Sequence, residues 1–273
     1  MIARALLLAV LTVAFAGPAE AGTDWAAVAT PAPGQAEVIG SAAAGCLRGA
    51  VSLPLEGPGY QVLRPSRNRH WGHPTMVAFV RDLAATAARE GIPGLLIGDM
   101  AQPRGGPMAS GHASHQNGLD VDIWFRLTPR RLGRAETEAP RPLGMVRYAA
   151  LDQGAWTPDQ ARLLELAARA PEVERIFVNP VIKREMCRAA PAADRAWLAK
   201  LRPWWGHDEH FHVRLACPSD SPDCQIQKPF PEGDGCGAEL LSWLDKPTWP
   251  APPDKPHHQS RPLPDACASV LRR

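Results

Sequence analysis

The sequence predicts an α+β domain: a small antiparallel sheet flanked by helices, with loop-rich termini fastened by disulfides. Three observations carry this. Strand-like and helix-like segments alternate without a regular βαβ rhythm and without an internal repeat, which argues against a doubly wound fold. The six cysteines, Cys46, Cys187, Cys217, Cys224, Cys236 and Cys267, are even in number and include no CxxC pair. Four of them lie after residue 216, in a proline-rich third with few apolar runs, where bridges would tie the chain to the core.

The elements follow in chain order. Residues 22–60 read as a loop-rich leading segment. "PTMVAFVRDLAATAARE" (74–90) is an amphipathic helix with proline at its start, ended by Gly91. "GLLIGDM" (94–100) is a short apolar strand, and "QPRGGPMASGHASHQNG" (102–118) a loop rich in Gly, Ser and Pro. "LDVDIWF" (119–125) alternates: Leu119, Val121, Ile123 and Phe125 share one face, Asp120, Asp122 and Trp124 the other. "TPDQARLLELAARA" (157–170) is a helix with Thr157 as N-cap. "VERIFVN" (173–179) is a strand. "PVIKREMCRAA" (180–190) and "ADRAWLAKL" (193–201) are short helices. "EHFHVRLA" (209–216) is a strand with His210, His212 and Arg214 on one face. Past Cys217 only "AELLSWL" (238–244) suggests a helical turn.

The chain has 273 residues, 45% hydrophobic and 21% charged, enough for one sizeable packed domain over 22–273 with an extension at about 218–273. Net charge is +2 with no long run of like charge, so no nucleic-acid partner is expected. Residues 1–21 show a single Arg4, an apolar run and the small-residue pattern Ala19-Glu20-Ala21. That is the build of a secretory signal peptide cleaved after Ala21. No later segment is apolar for long enough to cross a membrane, so no membrane span is expected after cleavage. An exported chain with an even cysteine count is expected to form disulfides.

Five of nine histidines fall in two stretches: His112 and His115, then His207, His210 and His212. Residues i and i+2 on a strand point to one face, so His210 and His212 project together, and so do Asp120 and Asp122. Gly118 allows the turn that would fold His115 back over the strand that follows. Two antiparallel strands would then bring His115, one of the two aspartates and a histidine of the HxH pair together. Three such ligands suit zinc and leave a position open, as catalytic sites do. A lone HxH arises often by chance, and an aspartate on a polar strand face is usually only solvated. The weight lies in the coincidence of two histidine-rich stretches, each tied to a strand.

Other chemistry is poorly served. SxxK, GxSxG and HExxH are all absent. Asp208 and Glu209 adjoin the HxH motif, but Glu209 points to the face opposite His210. His70 and His73 read as capping or cleft residues, and His257 and His258 as solvated. Trp71, Trp124, Trp204 and Trp205 lie near the histidine motifs; aromatic walls suit glycan or peptide stems, while core packing is the ordinary role of a tryptophan.

"SGHASHQNGLDVDIWF" together with "PWWGHDEHFHVRLACP" resembles the penicillin-insensitive murein endopeptidase family, within a wider group of zinc D,D-peptidases related to the vancomycin-resistance dipeptidases and to the zinc-binding fold of hedgehog proteins. The resemblance covers nearly the whole mature chain, including "LLIGDM", "PRGG" and the six cysteines. It implies that the sheet carries a zinc held by His115, Asp122 and His212, and so chooses Asp122 over Asp120. His210 would be the catalytic histidine, with His207 assisting. His112 and His207 would line the site, and some descriptions of the group count His112 as a ligand. A second, peripheral metal is sometimes placed near "YAALDQGAW"; here only Asp152 offers itself and Ala155 stands where a histidine is wanted, so one catalytic ion is expected. The cysteines would pair Cys46–Cys267, Cys187–Cys236 and Cys217–Cys224.

The resemblance implies a periplasmic enzyme of the Gram-negative envelope that cuts D-alanyl–diaminopimelate cross-links between peptidoglycan stems. Asp120 would orient a ligand histidine, and Arg104 is a candidate for binding a substrate carboxylate. The alternatives are a zinc D,D-carboxypeptidase or dipeptidase of the same group, or a non-catalytic peptidoglycan-binding protein whose metal is closed off by His112 or His210.

Overall fold

The computed structural model describes residues 23–109, 112–246 and 261–272. The predicted signal peptide lies outside them, as do His257 and His258. No helix among the described residues is long and apolar enough to cross a membrane.

The chain begins with α1 (Thr23–Ala26), then forms β1 (Glu37–Ser41), β2 (Ala44–Arg48), β3 (Val51–Ser52), β4 (Glu56–Gly57), β5 (Tyr60–Val62) and β6 (Trp71–Gly72). Next come α2 (Pro74–Arg89), β7 (Leu95–Ile97), β8 (Asp120–Trp124), α3 (Arg134–Glu138), β9 (Val146–Arg147), β10 (Ala150–Leu151), α4 (Pro158–Arg169), β11 (Val173–Val178) and α5 (Pro180–Ala189). The last elements are β12 (Leu201–Pro203), β13 (His210–Leu215), α6 (Ala238–Leu244) and α7 (Ala266–Arg272).

The architecture is α+β. The main sheet has the order β12-β11-β13-β8-β7-β5-β4. Its centre, β11-β13-β8-β7, is antiparallel as expected, and the parallel pairs β11/β12 and β5/β7 widen it. One face of the sheet, with Val121, Ile123 and Phe211, joins the main core with Phe79, Val80 and Leu83 of α2 and Leu163 and Leu164 of α4. A buried aliphatic or Phe side chain of this kind contributes about 1.5–3 kcal/mol.

The helix starts are written locally. His73 stays extended and its ring nitrogen accepts from Thr75 N, with Pro74 opening α2, so of the two roles expected for it His73 has the capping one. Thr157 accepts from Asp159 N while Gln160 accepts from Thr157 N, a reciprocal cap for α4. Asn179 accepts from Val181 N ahead of Pro180.

Four expectations need correction. The leading segment is not only loop: β1 and β2 pair as a hairpin, read as loop because its strands are short and rich in Gly and Ala. The segment 193–201 holds a short 3-10 turn, Ala196–Lys200, in place of an α-helix. The tail carries α7, fastened by the Cys46–Cys267 bridge. Strand β8 is buried on both faces, because His115 lies against Asp120 and Asp122, and Trp124 packs with Leu63, Leu96 and Leu132.

All three disulfides form with the expected pairing. Beside Cys187–Cys236, Lys183 is fully buried, and its Nζ donates to the Leu198 and Asp234 carbonyls at 2.5 and 2.7 Å. Burial lowers its pKa to about 7, with the Asp234 charge opposing. Between about pH 7 and pH 10 the folded chain therefore binds fewer protons here than the unfolded chain, and stability rises with pH. We expect wild type to gain on the order of 2 kcal/mol over Lys183→Met across that range, measured by urea unfolding. Parallel pH curves for the two proteins would contradict this.

Candidate metal centre

Strands β8 and β13 run side by side with His212 opposite Asp122, Arg214 opposite Asp120 and His210 opposite Trp124. Because these positions alternate with the core residues, all six side chains share the face away from α2 and α4. His115 reaches that face from the preceding loop. Its backbone is left-handed (φ 65), as is that of Gly118 (φ 78). A Cβ at Gly118 would also lie 2.3 Å from the Leu47 side chain, so the left-handed backbone and the close approach together favour glycine.

The β1–β2 hairpin holds this loop in place. Gln116 N donates to Ala42 O, Gly106 N to Gln116 O, and Leu47 N to Arg104 O. His115 N donates to Asp120 Oδ2 at 2.9 Å. These bonds fix a left-handed histidine that would otherwise cost about 1–2 kcal/mol.

Asp122 is the centre of the cluster. Its Oδ1 lies 3.4 Å from His115 Nε2, 3.5 Å from His212 Nδ1 and 3.6 Å from His210 Nε2. Its Oδ2 lies 3.8 Å from His112 Nε2. Burial opposes the charge on Asp122, but the surrounding histidines hold its carboxyl well below the usual range. His112 Nε2 is closer to Asp99 Oδ2, at 3.0 Å.

Asp120 stands behind this group. Arg214 binds it with two bonds, Nε to Oδ1 at 2.6 Å and Nη2 to Oδ2 at 2.8 Å. Against the cost of burial, Arg214 and then His212 keep the Asp120 carboxyl well below its usual range. His212 Nε2 lies 3.3 Å from Asp120 Oδ2, off the line of a good hydrogen bond. An ionised acceptor there favours the Nε2–H tautomer, which leaves the Nδ1 lone pair facing Asp122.

His207 and His210 stand at the open side, ring centroids 5.1 Å apart. His207 Nδ1 lies 3.0 Å from Trp205 O. A carbonyl only accepts, so Nδ1 carries the proton and Nε2 keeps a free lone pair. Burial, helped by His210 and His212, lowers the His207 pKa to about 3, so the ring is neutral at ordinary pH.

The arrangement fits a divalent metal. Both ring nitrogens of His115, Oδ1 of Asp122 and Nε2 of His212 are buried without a hydrogen-bond partner. Orphaned buried polar atoms are rare and each costs on the order of 1–3 kcal/mol. A cation bound there gives Nε2 of His115 and Oδ1 of Asp122 the partner they lack, with Nδ1 of His212 facing the same point and its Nε2 turned to Asp120. Two overlapping sets satisfy metal-ligand spacing, His112–His115–Asp122 and His115–Asp120–His212, with His115 in both. In the second, Asp120 is already committed to Arg214 and His115 N, which leaves Asp122 as the carboxylate with a free oxygen.

Arg104 does not face a substrate. It is buried; its Nη1 donates to the Val270 and Leu271 carbonyls and its Nε to Thr30 O, so it closes the C-terminal end of α7. Asp152 pairs with Arg147 at 3.4 Å, and Ala155 is in the core. Trp124 is buried with Leu63, Leu96 and Leu132, whereas Trp204 is half exposed against Phe177 and Trp243. The sequence reading missed Asp99 and gave Arg214 no role. Arg214 was detectable in principle, two residues after His212 on the same strand face.

Replacing Arg214 by Ala should weaken metal binding roughly 10–100-fold in a chelator competition, while Arg214→Lys retains part of the affinity. Unchanged affinity in both variants would separate Asp120 from the metal centre.

Residues 38–272 match the model of a family described as penicillin-insensitive murein endopeptidase. A protein of that name from Yersinia enterocolitica is 45% identical over 267 residues, 97% of this chain and 95% of its own length. Another from Haemophilus influenzae is 46% identical over 253 residues, 91% of this chain and 88% of its own. One from Salmonella heidelberg is 44% identical over 253 residues, covering 92% of both. Over nearly all of its described length, and including every histidine and aspartate of the centre, the chain belongs to the penicillin-insensitive murein endopeptidase family.

Proposed function

We propose that the chain is a zinc-dependent, penicillin-insensitive murein endopeptidase that hydrolyses D-alanyl–meso-diaminopimelate cross-links in peptidoglycan. In this reading the leader 1–21 directs it to the periplasm and 22–273 form one peptidase domain. The family and the relatives' names support the substrate. The observation that carries the chemistry is that Asp122 Oδ1, buried and without a hydrogen-bond partner, lies 3.4 Å from the equally unpartnered Nε2 of His115 and 3.5 Å from Nδ1 of His212.

Those three residues would hold the ion, with His112 braced by Asp99 beside them. Zinc supplies Lewis acidity at such a site, polarising a carbonyl and acidifying water. His210, partly exposed and 3.6 Å from Asp122 Oδ1, would take a proton from the attacking water and return it to the leaving amine. Neutral His207, with its Nε2 lone pair free, assists that transfer. Asp120, fixed by Arg214, keeps His212 in the tautomer that binds metal. No serine takes part in this scheme, so a β-lactam finds nothing to acylate.

A digest of cross-linked muropeptide dimers read by mass spectrometry tests the reading. Dimers should fall to monomers, insensitively to penicillin and reversibly blocked by chelator. Loss of a terminal D-alanine instead would indicate a carboxypeptidase, and no turnover a binding protein. His212→Ala and Asp122→Ala should lose both metal and activity. His210→Ala should keep its metal and lose about 10²–10⁴-fold in turnover. Metal loss in His210→Ala would make that residue a ligand.

A further inference from the structure

One side of the centre carries positive charge that the ligand set does not use. "RPSRNR" (64–69) follows β5 and folds as a single 3-10 turn, Pro65–Arg67. Arg64 and Asn68 flank it, both with left-handed backbone (φ 51 and 52). Non-glycine residues in that conformation are strained, and a fold retains such a pair where placement matters.

The turn places three guanidinium groups. Arg67 Nη1 and Arg69 Nη1 reach Asp99 Oδ2 at 3.1 and 3.0 Å, the same oxygen that holds His112. Arg64 lies over the ring of Trp124, its Cζ 5.3 Å from the centroid. Trp124 stands on the site face of β8, two residues after Asp122 and opposite His210. Burial and then the Arg67 charge lower the Arg64 pKa, against the opposing pull of Asp99, Glu209 and Asp122. Among the described residues, however, its guanidinium has no hydrogen-bond partner, although the residue is half-buried. Stacking fixes where the group sits and leaves its donors open. Asp99 is already shared by two arginines and a histidine, and Asp122 is surrounded by histidines, so neither is free for Arg64.

We propose that Arg64, flanked by Arg67, is the subsite for the substrate's free carboxylate on the leaving side of the scissile bond. The proposal rests on the endopeptidase reading. In a D-alanyl–diaminopimelate link, the carbon bonded to the scissile nitrogen also bears a free carboxylate. Arg64 is stacked on the cross-strand neighbour of His210, so a substrate held by that carboxylate presents its scissile nitrogen near His210. A planar guanidinium matches a carboxylate with two parallel bonds, and its rigid placement on Trp124 reduces the entropy of binding. The subsite selects peptide bonds whose nitrogen side is a free acid, and disfavours bonds followed by further chain.

The zinc-loaded full-length protein, Arg64→Gln and Arg64→Lys are compared on two cross-linked dimers, identical except that one has this carboxylate amidated. Wild type should show a KM roughly 10–100-fold higher for the amidated dimer. Arg64→Gln should raise KM for the acid dimer by a similar factor, lose nothing further on the amidated one, and keep its zinc and kcat. Arg64→Lys should recover part of the loss. Equal losses on both dimers, or none on the acid dimer, would overturn the proposal. Calorimetric binding of the free stem peptide ending in diaminopimelate gives a readout without turnover. Weaker binding to Arg64→Gln upholds the subsite even if neither dimer is cut, an outcome that would sink the endopeptidase reading alone. Equal binding to wild type and Arg64→Gln overturns the subsite.

Discussion

The buried pair of Asp120 and Arg214 is the constraint around which the centre is arranged. It joins β8 to β13 across the sheet, at the register that sets Asp122 opposite His212. Taking two charges out of water is expensive, and such a pair is weak evidence of net stability. Its value here is positional. The same carboxylate receives the backbone N–H of His115 and faces Nε2 of His212, so one fixed anion orients two histidines from separate parts of the chain. Removal of either partner would leave the other charge buried and unpaired, which typically costs about 3–5 kcal/mol.

A second layer holds the loop that carries His115. The β1–β2 hairpin bonds to Arg104 and Gln116, and Cys46 in that hairpin is bridged to Cys267 in α7. Arg104 closes the end of α7 through its carbonyls. The C-terminal tail thus braces the far side of the metal loop, although its sequence separation from Cys46 is 221 residues. A bridge over so long a loop removes considerable freedom from the unfolded chain, about 5 kcal/mol in the entropy model.

Much of this was legible in the sequence. Strand alternation puts Asp120 with Asp122 and His210 with His212, and the structure places all four on one face, because period two is a property of any extended strand. The helices 74–89 and 158–169 are marked by their own caps and apolar spacing. Periodicity could not choose between Asp120 and Asp122, because both point the same way; the choice depends on Arg214 claiming one of them, a cross-strand fact. Arg104 misled because an arginine in a glycine-rich loop looks available, and only the tertiary structure shows its donors taken by α7. Arg64 and Asp99 were invisible for a related reason: their roles come from a strained turn and from a loop that meets β8 only in the folded chain.

The most direct test of the account is a crystal structure of the zinc-loaded protein with anomalous scattering measured at the zinc edge. A single strong peak is expected between His115 Nε2, Asp122 Oδ1 and His212 Nδ1, each about 2.0–2.2 Å from the ion, with Asp120 bound to Arg214 and His115 N and facing His212 Nε2. An ion ligated by Asp120, or bound to His212 through Nε2, would contradict it.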